Sequence, residues 1–177
     1  GLNMNIRIIP VAVLFLLAAT GLFAESYPPE GWTTDLRQAI RDSEETGRDL
    51  LLNFTGSDWC VWCHRLRDEV FDTREFKEYA RENLILVFLD FPNGVDQSEE
   101  TVQQNQVMAS LLGVRGFPTV WLLDSTLLPI LQTGYRDGGS AAYVAHLRND
   151  RIEVEEEKKT EFRSLVREGI RQHIGPW

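Results

Sequence analysis

Lysine is almost missing from this sequence. Three lysines stand beside fifteen arginines, and the 18 basic residues are outnumbered by 27 acidic ones, giving a formal net charge of −9. No basic stripe exists to neutralise phosphates, which argues against nucleic acid as a partner. The acidic balance favours solubility and selects no partner by itself. Cysteine is scarce too: with only 2 in 177 residues there is no disulfide framework, and a chain this long with 43% hydrophobic residues does not need one. The 3 histidines and the cysteine pair supply no second ligand pair at the spacing of a structural zinc site. No internal repeat is present, and one domain with one appended element is expected.

The long hydrophobic run lies at the start. Met4 and Arg7 precede the uncharged stretch Ile8 to Ala24, IIPVAVLFLLAATGLFA, which has the positive start, apolar middle and small-residue end of an export signal. Residues 1–24 are therefore expected to be a signal peptide cut after Ala24, with Gly1 to Asn3 as upstream sequence outside the fold. Leu22 suits a cleavage site poorly, and the run approaches the roughly 18 residues that span a bilayer, so an uncleaved anchor is the alternative. Either way the working chain is expected to be periplasmic or secreted, in an oxidising compartment, and to touch the membrane only through this segment. A monomer is expected.

Past the signal, hydrophobic periodicity sketches alternating elements. A helix is expected over 32–46, capped at Thr34 or Asp35 and stopped by Gly47. An apolar strand over 48–56 runs into the cysteines, and a helix follows over 63–71. Asp72 with Glu75 resembles a capping box opening a helix over 73–82. A second buried strand covers 83–91, a polar loop 92–100, a helix 101–112, a third strand 114–124, a fourth 127–135 with Pro129 marking an edge, and a helix 141–148. The pattern predicts an α/β fold whose parallel core sheet is covered on both faces, with the last two strands forming an antiparallel hairpin edge. Residues 25–149 are read as the domain and 150–177 as an extension. There Phe162, Leu165, Val166, Ile170 and Ile174 recur at helical spacing, predicting an amphipathic helix laid back on the domain rather than one that binds a partner.

The chemistry concentrates in GSDWCVWCHRL, residues 56–66. A thiol at a helix start meets free backbone N–H groups that stabilise a thiolate, and a second thiol one turn on can close a disulfide onto it. On this geometry Cys60 is the exposed attacking nucleophile and Cys63 the more buried resolving thiol. Three rival readings share the motif. Cys60-Val61-Trp62-Cys63-His64 also spells the attachment pattern of a c-type haem, for which Met108, His146 or His173 would have to serve as second axial ligand; the strand before it argues for redox chemistry instead. Zinc and a purely structural disulfide are the others. His64 either assists the Cys60 thiolate or faces solvent or caps a neighbour. Trp59 and Trp62 either flank an apolar substrate patch or are simply packed.

Trp59-Cys60-x-x-Cys63 at a strand end, followed after helix, strand and helix by Gly116-Phe117-Pro118-Thr119 opening a strand, resembles the thioredoxin superfamily over residues 32–148. Within it, SDWCVWCHRLRDEVF, GVRGFPTVWLLD and TGY are similar to small exported thioredoxin-like proteins and to the periplasmic C-terminal domain of DsbD disulfide reductases. The resemblance implies a thioredoxin fold with a central mixed sheet. It also implies a cis peptide bond at Phe117-Pro118, with Phe117 and Pro118 facing substrate beside the cysteines. The implied activity is thiol–disulfide exchange with disulfide-containing proteins, fed by an upstream thiol electron donor and needing no bound cofactor. A binding or chaperone module on the same fold is the alternative. Two departures stand out. Val61-Trp62 replaces Gly-Pro between the cysteines, so the direction of electron flow is not legible. Asn53 stands where thioredoxin has a buried acid, which leaves water, Glu69 or Asp58 to help deprotonate Cys63.

Overall fold

A computed structural model describes residues 27–153 and 155–177; the expected signal, 1–24, lies outside them. The order is β1 (Trp32–Thr33), α1 (Leu36–Thr46), β2 (Asp49–Thr55), α2 (Val61–Leu66), α3 (Arg74–Asn83), β3 (Leu84–Asp90), α4 (Glu99–Leu111), β4 (Thr119–Leu123), β5 (Pro129–Thr133), α5 (Gly139–Asn149) and α6 (Glu156–His173). The five strands form one mixed sheet in the order β1-β3-β2-β4-β5.

β2 and β3 run parallel in full register, Thr55 beside Asp90, so both strands end at the same edge. β4 begins there too: Thr119 lies opposite Phe54, and β4 runs antiparallel to β2. The parallel part is therefore limited to β1, β3 and β2, narrower than the alternation of elements predicts, because the segment before β4 returns to the end where β2 finishes. β5 does form the antiparallel edge hairpin, with Pro129 at its start.

Residue alternation along β2 sorts the two cores. Leu50, Leu52 and Phe54 join Leu36, Ile40, Met108, Val166 and Ile170 on the face covered by α1, α4 and α6. Leu51 faces the other way, into Phe71, Phe76, Tyr79, Tyr143 and Leu147 of α3, α5 and the end of the α2 segment. The C-terminal helix thus lies back on the domain. Its Gly169 packs against the side chain of Leu111, while Arg167 reaches Glu44 of α1 at 2.7 Å.

Several boundaries differ from the sequence pattern for local reasons. Trp32 belongs to a two-residue strand beside Leu86, not to α1; α1 is capped by the Asp35 carboxylate on the Gln38 N–H and closed by Gly47 at φ 72°. α2 begins two residues earlier than expected, since Cys60 is its cap, and continues as one π-helical turn over Arg67–Phe71, closed by Asp72 N–H donating to the Arg67 carbonyl. With Asp72 ending that turn, the cap of α3 falls to Thr73, whose hydroxyl accepts from Phe76 N–H, and Glu75 accepts from the Ser140 hydroxyl instead of folding back.

Candidate active site

The sheet edge shared by β2, β3 and β4 carries the cysteine loop. Gly56 carbonyl accepts from Cys60 N–H at 2.9 Å, folding the chain from strand into helix. Three side chains staple that turn. Asp90, buried at the end of β3, accepts from Ser57 N–H at 2.8 Å and from the Ser57 hydroxyl at 2.6 Å. Asp58 accepts from Asn93 and Gly94 N–H of the loop after β3, at 3.0 and 2.6 Å; the Asn93 bond is the chief reason its carboxyl lies below the usual range. His64 Nε2 stands 2.7 Å from the Ser57 carbonyl, so its ring anchors the loop from the helix side.

Cys60 and Cys63 are joined as a disulfide, with Cα atoms 5.2 Å apart. Cys60 is the helix cap itself: its Sγ accepts from Cys63 N–H at 3.2 Å. The expected contrast in exposure is not seen in this oxidised form, where Cys60 and Cys63 are 5% and 6% exposed. Cys60 turns back over the helix start to bond Cys63, and both cysteines are buried. What separates the two is therefore the cap position, which favours charge on Cys60.

The Phe117-Pro118 bond is cis. Trp59 packs edge-on against Phe117 with ring centroids 5.8 Å apart, and Phe91 supports Phe117 from behind at 5.0 Å. The Trp59 indole N–H donates to Phe91 carbonyl at 2.8 Å. Trp62 lies against Tyr135 at 5.1 Å, with the Arg65 guanidinium 5.0 Å from its ring and 4.7 Å from that of Tyr135. Glu69 completes this group, accepting from the Tyr135 hydroxyl at 2.6 Å and from Arg65 Nε at 2.9 Å. Those two bonds, Tyr135 first, hold Glu69 below the usual carboxylate range, and the same hydroxyl bond pushes Tyr135 up to about 12. Trp59 and Trp62 are 45% and 52% exposed. Each is held by one edge while offering the rest of its ring to solvent, on either side of the motif.

Behind the disulfide lies a cavity of about 280 Å³, walled on one side by Asn53 and Thr55 of β2 and on the other by Cys63 and His64. Asn53 Oδ1 is buried there without a hydrogen-bond partner.

Some contributors gave no sequence signal strong enough to single out. Gly56 is one: a Cβ on it would fall 2.4 Å from the Trp59 ring. Gly134 is another, its place for a Cβ only 2.8 Å from the Pro118 carbonyl oxygen. The TGY triplet containing it was visible as a motif, but its contact with the cis proline is tertiary.

A capped cysteine pair on a strand-to-helix turn, beside a cis proline, forms a site for thiol–disulfide exchange, and the chain belongs to the thioredoxin-like family, whose model matches residues 31–125. It is 35% identical over 133 residues to the disulfide bond reductase DsbH of Chlamydia pneumoniae, covering 75% of both chains. It is also 29% identical over 103 residues to the thioredoxin-related protein DsbJ of the same organism, covering 58% of this chain and 30% of that one. A solved structure of a DsbH oxidoreductase superposes with a TM-score of 0.64 at 35% identity, over 66% of this chain and 81% of the other. The protein is accordingly a thiol–disulfide oxidoreductase, a homologue of DsbH with its cysteine pair closed as a disulfide.

Proposed function

We propose that this protein reduces protein disulfides outside the cytoplasm, with Cys60 as nucleophile and Cys63 as resolving thiol. The observation that carries the assignment is the Cys63 N–H bond to Cys60 Sγ: an acceptor role at the helix cap favours the anionic sulfur at Cys60. Cys60 thiolate attacks one sulfur of the substrate disulfide, forming a mixed disulfide and expelling the other sulfur as a thiolate. Cys63 then attacks Cys60 Sγ, closing the intramolecular bond and releasing the second substrate thiol. Two electrons return from an upstream thiol donor to reopen the pair.

Trp59, Trp62, Phe117 and Pro118 are read as the substrate surface. The two half-exposed indoles present flat apolar faces, and Gly116, Phe117 and Pro118 line an open groove beside them. Placement outside the cytoplasm rests on the signal-like start; no helix among the described residues is long and apolar enough to cross a membrane. The protein works as a monomer in this reading.

Equilibration of the cysteine pair against glutathione or dithiothreitol, read by thiol alkylation, tests the direction. A potential near roughly −270 mV fits a reductant, and one near about −120 mV makes the protein an oxidant. The Cys63→Ser variant is expected to accumulate a covalent substrate complex through Cys60, and a Cys60→Ser variant that accumulates the same complex reverses the two roles.

A further inference from the structure

The groove beside the cis proline carries a charge without a partner. Arg115 is exposed and is the one ionisable residue among the described residues that line this groove, where Gly116, Phe117, Pro118 and Gln132 are its neighbours. Elsewhere the arginines find acids: Arg37 meets Glu100, Arg65 meets Glu69, Arg151 meets Asp49 and Arg167 meets Glu44. Among the described residues, Arg115 meets no carboxylate, carbonyl or aromatic ring. In a chain with 27 acidic residues against 18 basic ones, this is not for want of acids.

The backbone fixes where that charge stands. Val114 N–H donates to the Ala109 carbonyl at 2.8 Å, tying the preceding residue to α4, and the Val114 side chain packs against the core. On the other side the Thr119 hydroxyl donates to the Gly116 carbonyl at 2.7 Å. Arg115 is thus held at its backbone while its guanidinium stays open to a ligand. Gln132 adds an exposed amide to the same groove. The acids beside the cysteine turn are already engaged, Asp58 by Asn93 and Gly94 N–H and Glu69 by Tyr135 and Arg65. Arg115 lies two residues before Phe117, within about 7 Å along the chain. Phe117 in turn packs against Trp59, the neighbour of Cys60.

Building on the reductase reading, we propose that Arg115 selects client disulfides that carry an Asp or Glu within about four residues of the cysteine, the span an extended client covers between Cys60 and the guanidinium. The client carboxylate pairs with Arg115 as its chain settles against Pro118, and the planar guanidinium suits that acceptor. Arg115 is a specificity-determining residue: it touches the client but not the reacting sulfurs, so it acts on capture rather than on exchange. An exposed pair of this kind is worth up to about fivefold in affinity and fades with salt.

The test mixes the reduced full chain with three peptide disulfides that are identical except for Glu, Gln or Lys at the third residue from the cysteine. Each rate is divided by the rate of the same peptide with dithiothreitol, which removes the peptide's own reactivity. The Glu peptide is expected to react about fivefold faster than the Gln peptide at low salt and subsaturating concentration, with the Lys peptide slower still. The spread should close at about 0.5 M salt. Arg115→Gln should bring the three rates within about twofold of one another, and Arg115→Glu should favour the Lys peptide. Arg115→Lys should keep the parent's order with a smaller spread. The side chain is exposed and unpaired, so these variants are expected to fold as the parent does. A parent that reduces the Glu and Gln peptides equally overturns the proposal, as does a Glu preference that persists in Arg115→Gln. A parent that reduces none of the peptides overturns the reductase reading, and this proposal with it.

Discussion

Gly134 stands directly behind Pro118: a Cβ there would lie 2.8 Å from the Pro118 carbonyl oxygen, closer than carbon and oxygen can approach. The end of β5 thereby sets the position of the cis-proline segment. Gly134→Ala must push that backbone away, at a cost of about 1–3 kcal/mol in stability for an overpacked site. The larger expected effect is a severalfold lower exchange rate with protein disulfides, while the rate with a small disulfide changes little. Parallel assays with the two substrate classes check this.

Trp59 depends on Gly56 in the same manner. A Cβ at Gly56 would overlap the indole at 2.4 to 2.6 Å, so Gly56→Ala should lift the ring from Phe117 and break its N–H bond to the Phe91 carbonyl. The expected signature is loss of protection of that indole proton in hydrogen exchange, together with weaker capture of substrate by the Cys63→Ser trap.

Asp90 joins the cysteine loop to β3 through Ser57 N–H and hydroxyl and also accepts from Tyr27 at 3.2 Å. Asp90→Ala leaves the part-buried Ser57 and Tyr27 donors without this acceptor and is expected to destabilise the fold by about 1–2 kcal/mol. Denaturant melts of the oxidised protein measure it.

The Trp62, Arg65, Tyr135 and Glu69 group predicts a pH effect. Glu69 titrates lower in the folded chain than in the unfolded one, so its contribution is complete above the ordinary carboxylate range and disappears as pH falls through the depressed value. Acidification through that range should release Trp62, visible as a shift of its indole NMR resonance. In Glu69→Gln the acid-induced shift should be absent.

Much of this architecture was legible because strong local signals coincide. Apolar strands, Gly47 as a helix stop, Pro129 at an edge and the pairing of WCxxC with GFPT all pointed to one fold, and the structure agrees. What escaped was set by contacts between distant segments. The π-helical turn after α2 has no periodicity that would separate it from an ordinary helix, yet it shifted the cap of α3 from Asp72 to Thr73. The near-equal burial of Cys60 and Cys63 is likewise a matter of packing around the closed disulfide. Arg65 and Tyr135 are 70 residues apart with no local signal joining them, though together they hold Trp62. Asn53 was noticed as an amide where an acid was expected, but its unpaired oxygen and the space in front of it emerge only from packing.

Tyr27 closes one side of that space and reaches Asp90 beneath the cysteine loop. The polypeptide therefore enters the domain at the same pole as its disulfide. Tyr27 and the reactive sulfurs thus share one edge of the sheet, and a change at Tyr27 reaches the cysteine turn through the Asp90 carboxylate.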